Sequence, residues 1–330
     1  MKDKFLTRIK EDKFYIIALI ILIAIFNIKL PYYVNAPGGT INIKDRIEYK
    51  EKPNYKGSLN MLYVTEYVAS IPFYLLSYVV PDWDLESITE SQVSSNESVE
   101  QINIRNKVML ENSINNAKYV AYKAANKKVE IKNMKYIVVG VTEENNLQIG
   151  DEILQVENHS IENLESIRTE INKKNKNDQI HFKIKREGKE INVKSTIKEK
   201  EGKKELGVVI LTNYSLKTDP QIKLKFKSSE SGASGGLMMS LSIYSAISGK
   251  DILKGRNIAG TGTIDMEGNV GEIGGIKYKV MGAAKNKMDI ILVPSANYKE
   301  AMKVKKEKNY KIKIVEVKTF QDAIKYLKEN

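Results

Sequence analysis

The 330-residue chain contains no cysteine and only two histidines, His159 and His181. Without cysteine there is no disulfide framework, no thiolate nucleophile and no cysteine-based zinc or iron–sulfur site. Two histidines cannot build a three-histidine metal centre. Any chemistry must therefore come from Ser, Thr, Lys, Asp, Glu or Tyr, or from a serine served by one of those two histidines. Arg-rich blocks and basic–aromatic runs are also missing. The net charge of +12 comes from lysines spread along the whole chain. That spread describes a solvated surface better than a nucleic-acid footprint. With 42% hydrophobic and 28% charged residues the chain is globular, and its length suggests about two domains.

The strongest local signal is Phe14–Phe26, thirteen residues without a charge or strong polar group. Ile28, Leu30, Pro31, Tyr32, Tyr33 and Val34 extend its apolar character, and Lys29 can snorkel to an interface. A transmembrane anchor is expected over 14–34. Lys2, Lys4, Arg8, Lys10 and Lys13 mark residues 1–13 as a cytoplasmic leader, with the rest of the chain outside. Val34-Asn35-Ala36 has the look of a signal-peptide cleavage site, but Pro37 stands directly after it and blocks cleavage.

Beyond the anchor, Pro37-Gly38-Gly39 reads as a breaker and 59–67 as a strand. Residues 71–80 read as a core helix or a membrane-lying one. Residues 83–100 read as an exposed acidic loop, and 98–126 as a long helix. In 128–200, Leu147-x-x-Gly150-Asp151-x-Ile153-Leu154-x-Val156 and the Lys185–Lys189 hairpin resemble a PDZ domain. The resemblance implies peptide docking by strand addition, on a strand containing Ile137 and Val139. The Gly-Leu-Gly-Phe type of loop is absent before that strand, where Met134-Lys135-Tyr136-Ile137 stands. Both histidines fall in this module and read as structural.

Residues 228–294 carry the chemistry. Gly232-Ala233-Ser234-Gly235-Gly236 fits the Gly-x-Ser-x-Gly elbow of α/β-hydrolases, yet no histidine follows Ser234 as that fold requires. A phosphate-binding Gly-x-x-x-x-Gly-Lys-Ser/Thr loop is missing too. Ser195-Thr196-Ile197-Lys198 matches Ser-x-x-Lys, but at the end of a strand and without the accompanying motifs. A serine without histidine needs another base, and a lysine kept neutral by burial can serve. Periodicity does not decide between Lys277 and Lys279, which flank the apolar face of their helix at similar angles.

Ser234, Thr261-Gly262 and Gly274-Gly275-Ile276-Lys277-Tyr278-Lys279 follow one another in the order of the Lon proteolytic domain, which residues 215–320 resemble. Ala233 and Gly235 replace Pro and Ala of the nucleophile turn without removing a reactive group. The whole layout resembles the membrane-anchored PDZ–Lon-like serine proteases of Gram-positive bacteria. The resemblance implies an α+β fold of the ribosomal-protein-S5-domain-2-like type with an inserted PDZ-like domain at 128–200. Residues 35–127 would form the N-terminal part of the protease domain and 201–330 its Ser/Lys core. It implies Ser234 as nucleophile and Lys279 as base, with Thr261 and Gly235 supporting them. It further implies ATP-independent cleavage of exported peptides or unfolded, membrane-proximal proteins at the cell membrane. No cofactor, metal or nucleic acid is implied, and a homo-oligomer is left open. A PDZ scaffold on an inactive protease fold is the alternative.

Overall fold

A computed structural model describes residues 12–49, 56–90, 97–142 and 145–330. The chain mixes helices and strands and divides into two compact units. One comprises the chain up to Pro37 together with Val64–Ser91, and the other Gly38–Tyr63 with Gln92–Asn330. Residues 1–11 of the expected leader lie outside the described residues.

In the smaller unit, helix α1 covers Lys13–Asn27 and buries none of its side chains. The expected anchor over 14–34 is shorter than that as a helix. Asn27 turns its amide back to the Ile23 carbonyl at 2.8 Å, Ile28 becomes extended, and strand β1 (Lys29–Asn42) begins. The β-favouring Tyr32-Tyr33-Val34 takes a sheet partner there instead of continuing the helix. Among the described residues no helix is long and apolar enough to cross a membrane. Strand β2 (Ser58–Ser70) leads into the short helix α2 (Ile71–Leu76), which buries no residue, so the core-helix option for 71–80 is excluded. The acidic stretch expected as a loop forms strand β3 (Asp84–Ser87) at its start, antiparallel to β1 from Tyr32 opposite Ser87 to Asn35 opposite Asp84.

In the larger unit, helix α3 (Val99–Ala124) opens on a reciprocal cap between Ser98 and Gln101. The sequence then makes a long hairpin-rich sheet: β4 (Lys128–Val141), β5 (Glu152–Val156), helix α4 (Leu164–Asn172), β6 (Gln179–Arg186), β7 (Lys189–Thr196) and β8 (Val208–Asp219). Its order is β8-β4-β5-β6-β7. Glu187-Gly188, both at positive φ, closes the β6–β7 hairpin, as the right-handed strand twist demands. Alternation along β6 puts Ile180, Phe182 and Ile184 into a core with Ile167 and Ile171 of α4.

The rest of the unit is a parallel sheet covered on both faces. Helix α5 (Gly236–Ser248), β9 (Asn257–Gly260), helix α6 (Ile276–Lys285), β10 (Ile290–Pro294), helix α7 (Ser295–Glu307), β11 (Lys313–Val317) and helix α8 (Phe320–Glu329) follow in order. β11, β10, β9 and β2 run parallel, and β1 lies beyond β2. Ile290 and Leu292 pack on one face with α3, α5 and α8, while Ile291 and Val293 pack on the other with α6 and α7. This double cover explains the uninterrupted apolar run Ile290–Pro294. The expected breaker Pro37-Gly38-Gly39 does not break β1. Gly38 lies so close to Tyr63 on β2 that a Cβ would meet its carbonyl oxygen at 2.0 Å, and glycine there keeps the strand running.

Candidate active site

The sequence brings Ser234, Thr261 and Lys279 from three separate segments. Ser234 sits half-buried in the turn Ala233–Gly235 just before α5. Helix α5 is apolar almost all round, and eleven of its residues are buried. A helix of that kind must lie inside the core, so it holds the turn rigidly. Gly236 is required by close approach, because a Cβ there would meet the Ile264 nitrogen and Ser113 Oγ, each at 2.9 Å.

Thr261 follows β9 and is fully buried. Its N–H donates to the Leu292 carbonyl at 3.1 Å, which fixes it against β10. Its hydroxyl donates to the Ser234 carbonyl at 3.1 Å, and the Gly262 N–H donates to the same carbonyl at 2.8 Å. The Ser234 turn is thus pinned twice through its backbone.

Lys279 lies one turn into α6. Gly275, at φ 68°, starts that helix in the left-handed region, where a side chain is disfavoured. Buried Asn297 holds the preceding turn by accepting from Ile273 N–H and donating to Ile273 O. Lys279 is only 4% exposed, whereas Lys277 is half-buried with its ammonium 5.5 Å from the Tyr278 ring centre. Burial thus distinguishes the two lysines that periodicity leaves alike. Lys279 Nζ donates to Thr261 Oγ1 at 3.3 Å. Among the described residues no carboxylate pairs with it, and burial pushes it from 10.5 down to about 8. Ser234 and Lys279 therefore meet at one shared partner, Thr261, although no hydrogen bond joins Ser234 Oγ to Lys279 Nζ among the described residues.

The amides near Ser234 are divided. Gly236 N–H donates to Ala233 O at 3.2 Å and Leu237 N–H to Gly262 O at 3.1 Å. Among the described residues the Ser234 and Gly235 amides donate to no backbone carbonyl, so the expected support from Gly235 rests on its N–H.

One set of contacts is missed by the apolar pattern of α3. Asn112, Ser113 and Asn116 lie within two turns of that helix. Ser113 Oγ donates to the Ala233 carbonyl at 3.0 Å, Asn116 to the Ile264 carbonyl at 2.9 Å, and Asn112 to the Thr212 carbonyl of β8 at 2.9 Å. Asparagine is disfavoured inside helices. Three of them within five residues, at 112, 115 and 116, is the signal that could have exposed this polar seam.

Ile137 and Val139 require a correction. They stand on β4, which is flanked by β8 on one side and, at Ile137, by β5 on the other. An interior strand has no free edge for an added peptide. The edges of that sheet are β7 and β8. The Ser195-x-x-Lys198 pattern is also placed: Ser195 lies in β7 with its hydroxyl bonded to Asn145.

Comparison with known proteins defines the class. Residues 227–329 match the Lon protease (S16) C-terminal proteolytic domain, and residues 120–197 match a PDZ domain. The chain therefore carries a Lon-type proteolytic domain behind a PDZ domain. Among individual proteins, it is similar to the Lon protease of Mesomycoplasma hyopneumoniae, 38% identical over 96 residues, covering 29% of this chain and 11% of that protein. It is also similar to the Lon protease of Campylobacter jejuni, 35% identical over 96 residues, covering 29% of this chain and 12% of that one. The chain thus spans about a tenth of the length of these relatives. The PDZ domain of an SdrC-like protein from Listeria monocytogenes aligns at 16% identity and TM-score 0.23, over 25% of this chain and 93% of that one.

Proposed function

We propose that the chain is an ATP-independent serine endopeptidase working through a Ser234–Lys279 dyad. The observation that carries this reading is Lys279: buried, without a carboxylate, held down to about 8, and bonded to the threonine that also grips the Ser234 carbonyl. A lysine with that value is partly neutral near pH 8 and can accept a proton.

In the reaction, Lys279 Nζ takes the Ser234 hydroxyl proton as Oγ attacks the scissile carbonyl. The tetrahedral oxyanion forms against the Ser234 and Gly235 amides. As the C–N bond breaks, Lys279 returns the proton to the leaving amine. Water then adds to the acyl-enzyme with Lys279 again as base, which regenerates Ser234. Thr261 keeps the ammonium and the nucleophile turn in one geometry throughout.

Substrates are unfolded or extended peptides. They dock on the PDZ-type sheet at the edge of β8, at Val208–Ile210, because the carbonyls of Thr212 and Tyr214 further along are occupied by Asn112 and Asn115 of α3. Attachment to the cell membrane is through α1, none of whose apolar side chains is buried, with the bulk of the chain on the extracytoplasmic side. The purified full chain in detergent should cleave an unstructured protein, with Ser234→Ala and Lys279→Ala variants inert. Peptide binding without turnover in the wild type would replace this reading with a docking scaffold.

A further inference from the structure

Exposed large apolar side chains of the smaller unit fall in two places: along α1, and around α2. The second place has no role in the chemistry above. Residues 67–81 form a run of fifteen without a charged side chain. At its centre Leu75 is 61% exposed, Tyr78 69% and Val79 72%.

These side chains stand on an aromatic base. Tyr67 stacks on Phe73 at 5.8 Å, Phe73 meets Trp83 at 6.1 Å, and Tyr74 lies against Tyr32 at 5.4 Å. The Tyr78 hydroxyl donates to that of Tyr74 at 3.0 Å. The base is therefore rigid, and its outward groups are amphipathic rings beside bare aliphatic ends. Tyrosine and tryptophan of this kind favour the boundary between water and hydrocarbon.

A second observation says what covers the patch. α1 packs directly against α2, so both elements meet the same medium. α1 has 15 residues, about 22 Å of helix at the usual rise, against a hydrocarbon layer of about 30 Å. An inserted helix that short leaves its ends in a locally thinned bilayer or needs neighbouring apolar surface at the boundary. The helix α2 that packs against it carries Leu75 and leads directly to Tyr78 and Val79, whose exposed side chains supply that surface.

We infer that the α2 segment is a phospholipid-contacting face that seats this unit in the head-group layer beside α1. The inference rests on α1 being embedded in lipid. It adds a second, separately removable membrane contact, and it assigns a function to a surface outside the protease and PDZ-type parts. Because the patch is uncharged, its contact should persist at high salt, unlike attraction of the lysine-rich surface to anionic lipid.

Trp83 is the chain's single tryptophan and sits at the base of the patch, so it reports on lipid without further labelling. The full chain is reconstituted into phosphatidylcholine–phosphatidylglycerol vesicles whose acyl chains are brominated near the head group or near the bilayer centre. Trp83 emission should be quenched several-fold more by the shallow bromines than by the deep ones, at low and high salt alike, and should be shielded from aqueous iodide. The variant Leu75→Glu/Val79→Glu, both sites exposed, should stay on vesicles through α1 and lose most of the quenching. Vesicle-bound wild type with unquenched, iodide-accessible Trp83 overturns the inference and leaves α1 insertion standing. Failure of the wild type to partition into vesicles at all defeats the α1 reading first. Shielding from iodide without lipid quenching, together with a concentration-dependent mass on sedimentation, assigns the patch to a second copy of the chain and likewise overturns the inference.

Discussion

Two of the buried charges in the larger unit, Asp151 and Lys279, are treated in opposite ways. In the PDZ-type sheet, Asp151 is 1% exposed and is held by Arg186 through two bonds of 2.7 and 2.8 Å, with Gln148 N–H completing the set. In the proteolytic part, Lys279 is equally hidden and, among the described residues, has only the neutral Thr261 hydroxyl as a hydrogen-bond partner. A paired charge stays charged and ties strand to turn. An unpaired one is driven towards its neutral form. The first arrangement serves architecture. On the proposed mechanism the second stores a usable base at a cost to stability, and the contrast separates a part that holds from a part that reacts.

The strongest test of that contrast is removal of the unpaired charge. Lys279→Met and Ser234→Ala should each lower peptide turnover by about a thousand-fold or more, the scale of losing a nucleophile or its base, measured by release of a fluorescent peptide. Below pH 8 the same Lys279→Met change should also stabilise the fold by about 3 kcal/mol, because the buried ammonium is gone; chemical denaturation reads it. The mirror experiment, Arg186→Ala, leaves Asp151 buried and unpaired and should cost about 3 kcal/mol. Cleavage of a short peptide that does not use the docking edge should survive it.

pH sharpens the same contrast. Lys279 is depressed from 10.5 to about 8 in the fold, so between those values the unfolded chain holds a proton that the folded one has released. Stability should therefore rise with pH across about 8 to 10.5, and Lys279→Met should flatten that rise. Turnover should climb about tenfold per pH unit below 8 and level off above it. The smallest expected effect is at the bridge. Thr261→Val should lower kcat about tenfold, the worth of roughly one such hydrogen bond, with KM unchanged and the fold intact by circular dichroism.

Legibility in the sequence followed the range of the interactions. The helix expected over 98–126 and the β6–β7 hairpin are local, and both appear, as Val99–Ala124 and around Glu187-Gly188. Lys277 and Lys279 look alike along the helix, since their difference is made by what packs over α6, not by the helix itself. Ile137 and Val139 have the alternation of a half-covered strand, but pairing with Val208–Leu211 some seventy residues on takes away their edge. Pro37-Gly38-Gly39 has the composition of a breaker, and only the proximity of Tyr63 shows why glycine belongs within a strand there. At Asn27, a side chain bonding to its own helix ends a run that hydrophobicity alone would prolong.

The asparagine and serine seam of α3 gives that helix a phase. Asn112 grips β8, Ser113 the turn that carries Ser234, and Asn116 the Ile264 carbonyl. Successive residues of a helix point about 100° apart. A single residue inserted between 106 and 112 would leave every helical hydrogen bond possible yet rotate one end of α3 against the other. Asn106, whose carbonyl accepts from Gly232, and Ser113 could then no longer hold both sides of the same turn. The helix thus works as a camshaft cut to one angle, and its length in residues is as much a part of the site as its side chains.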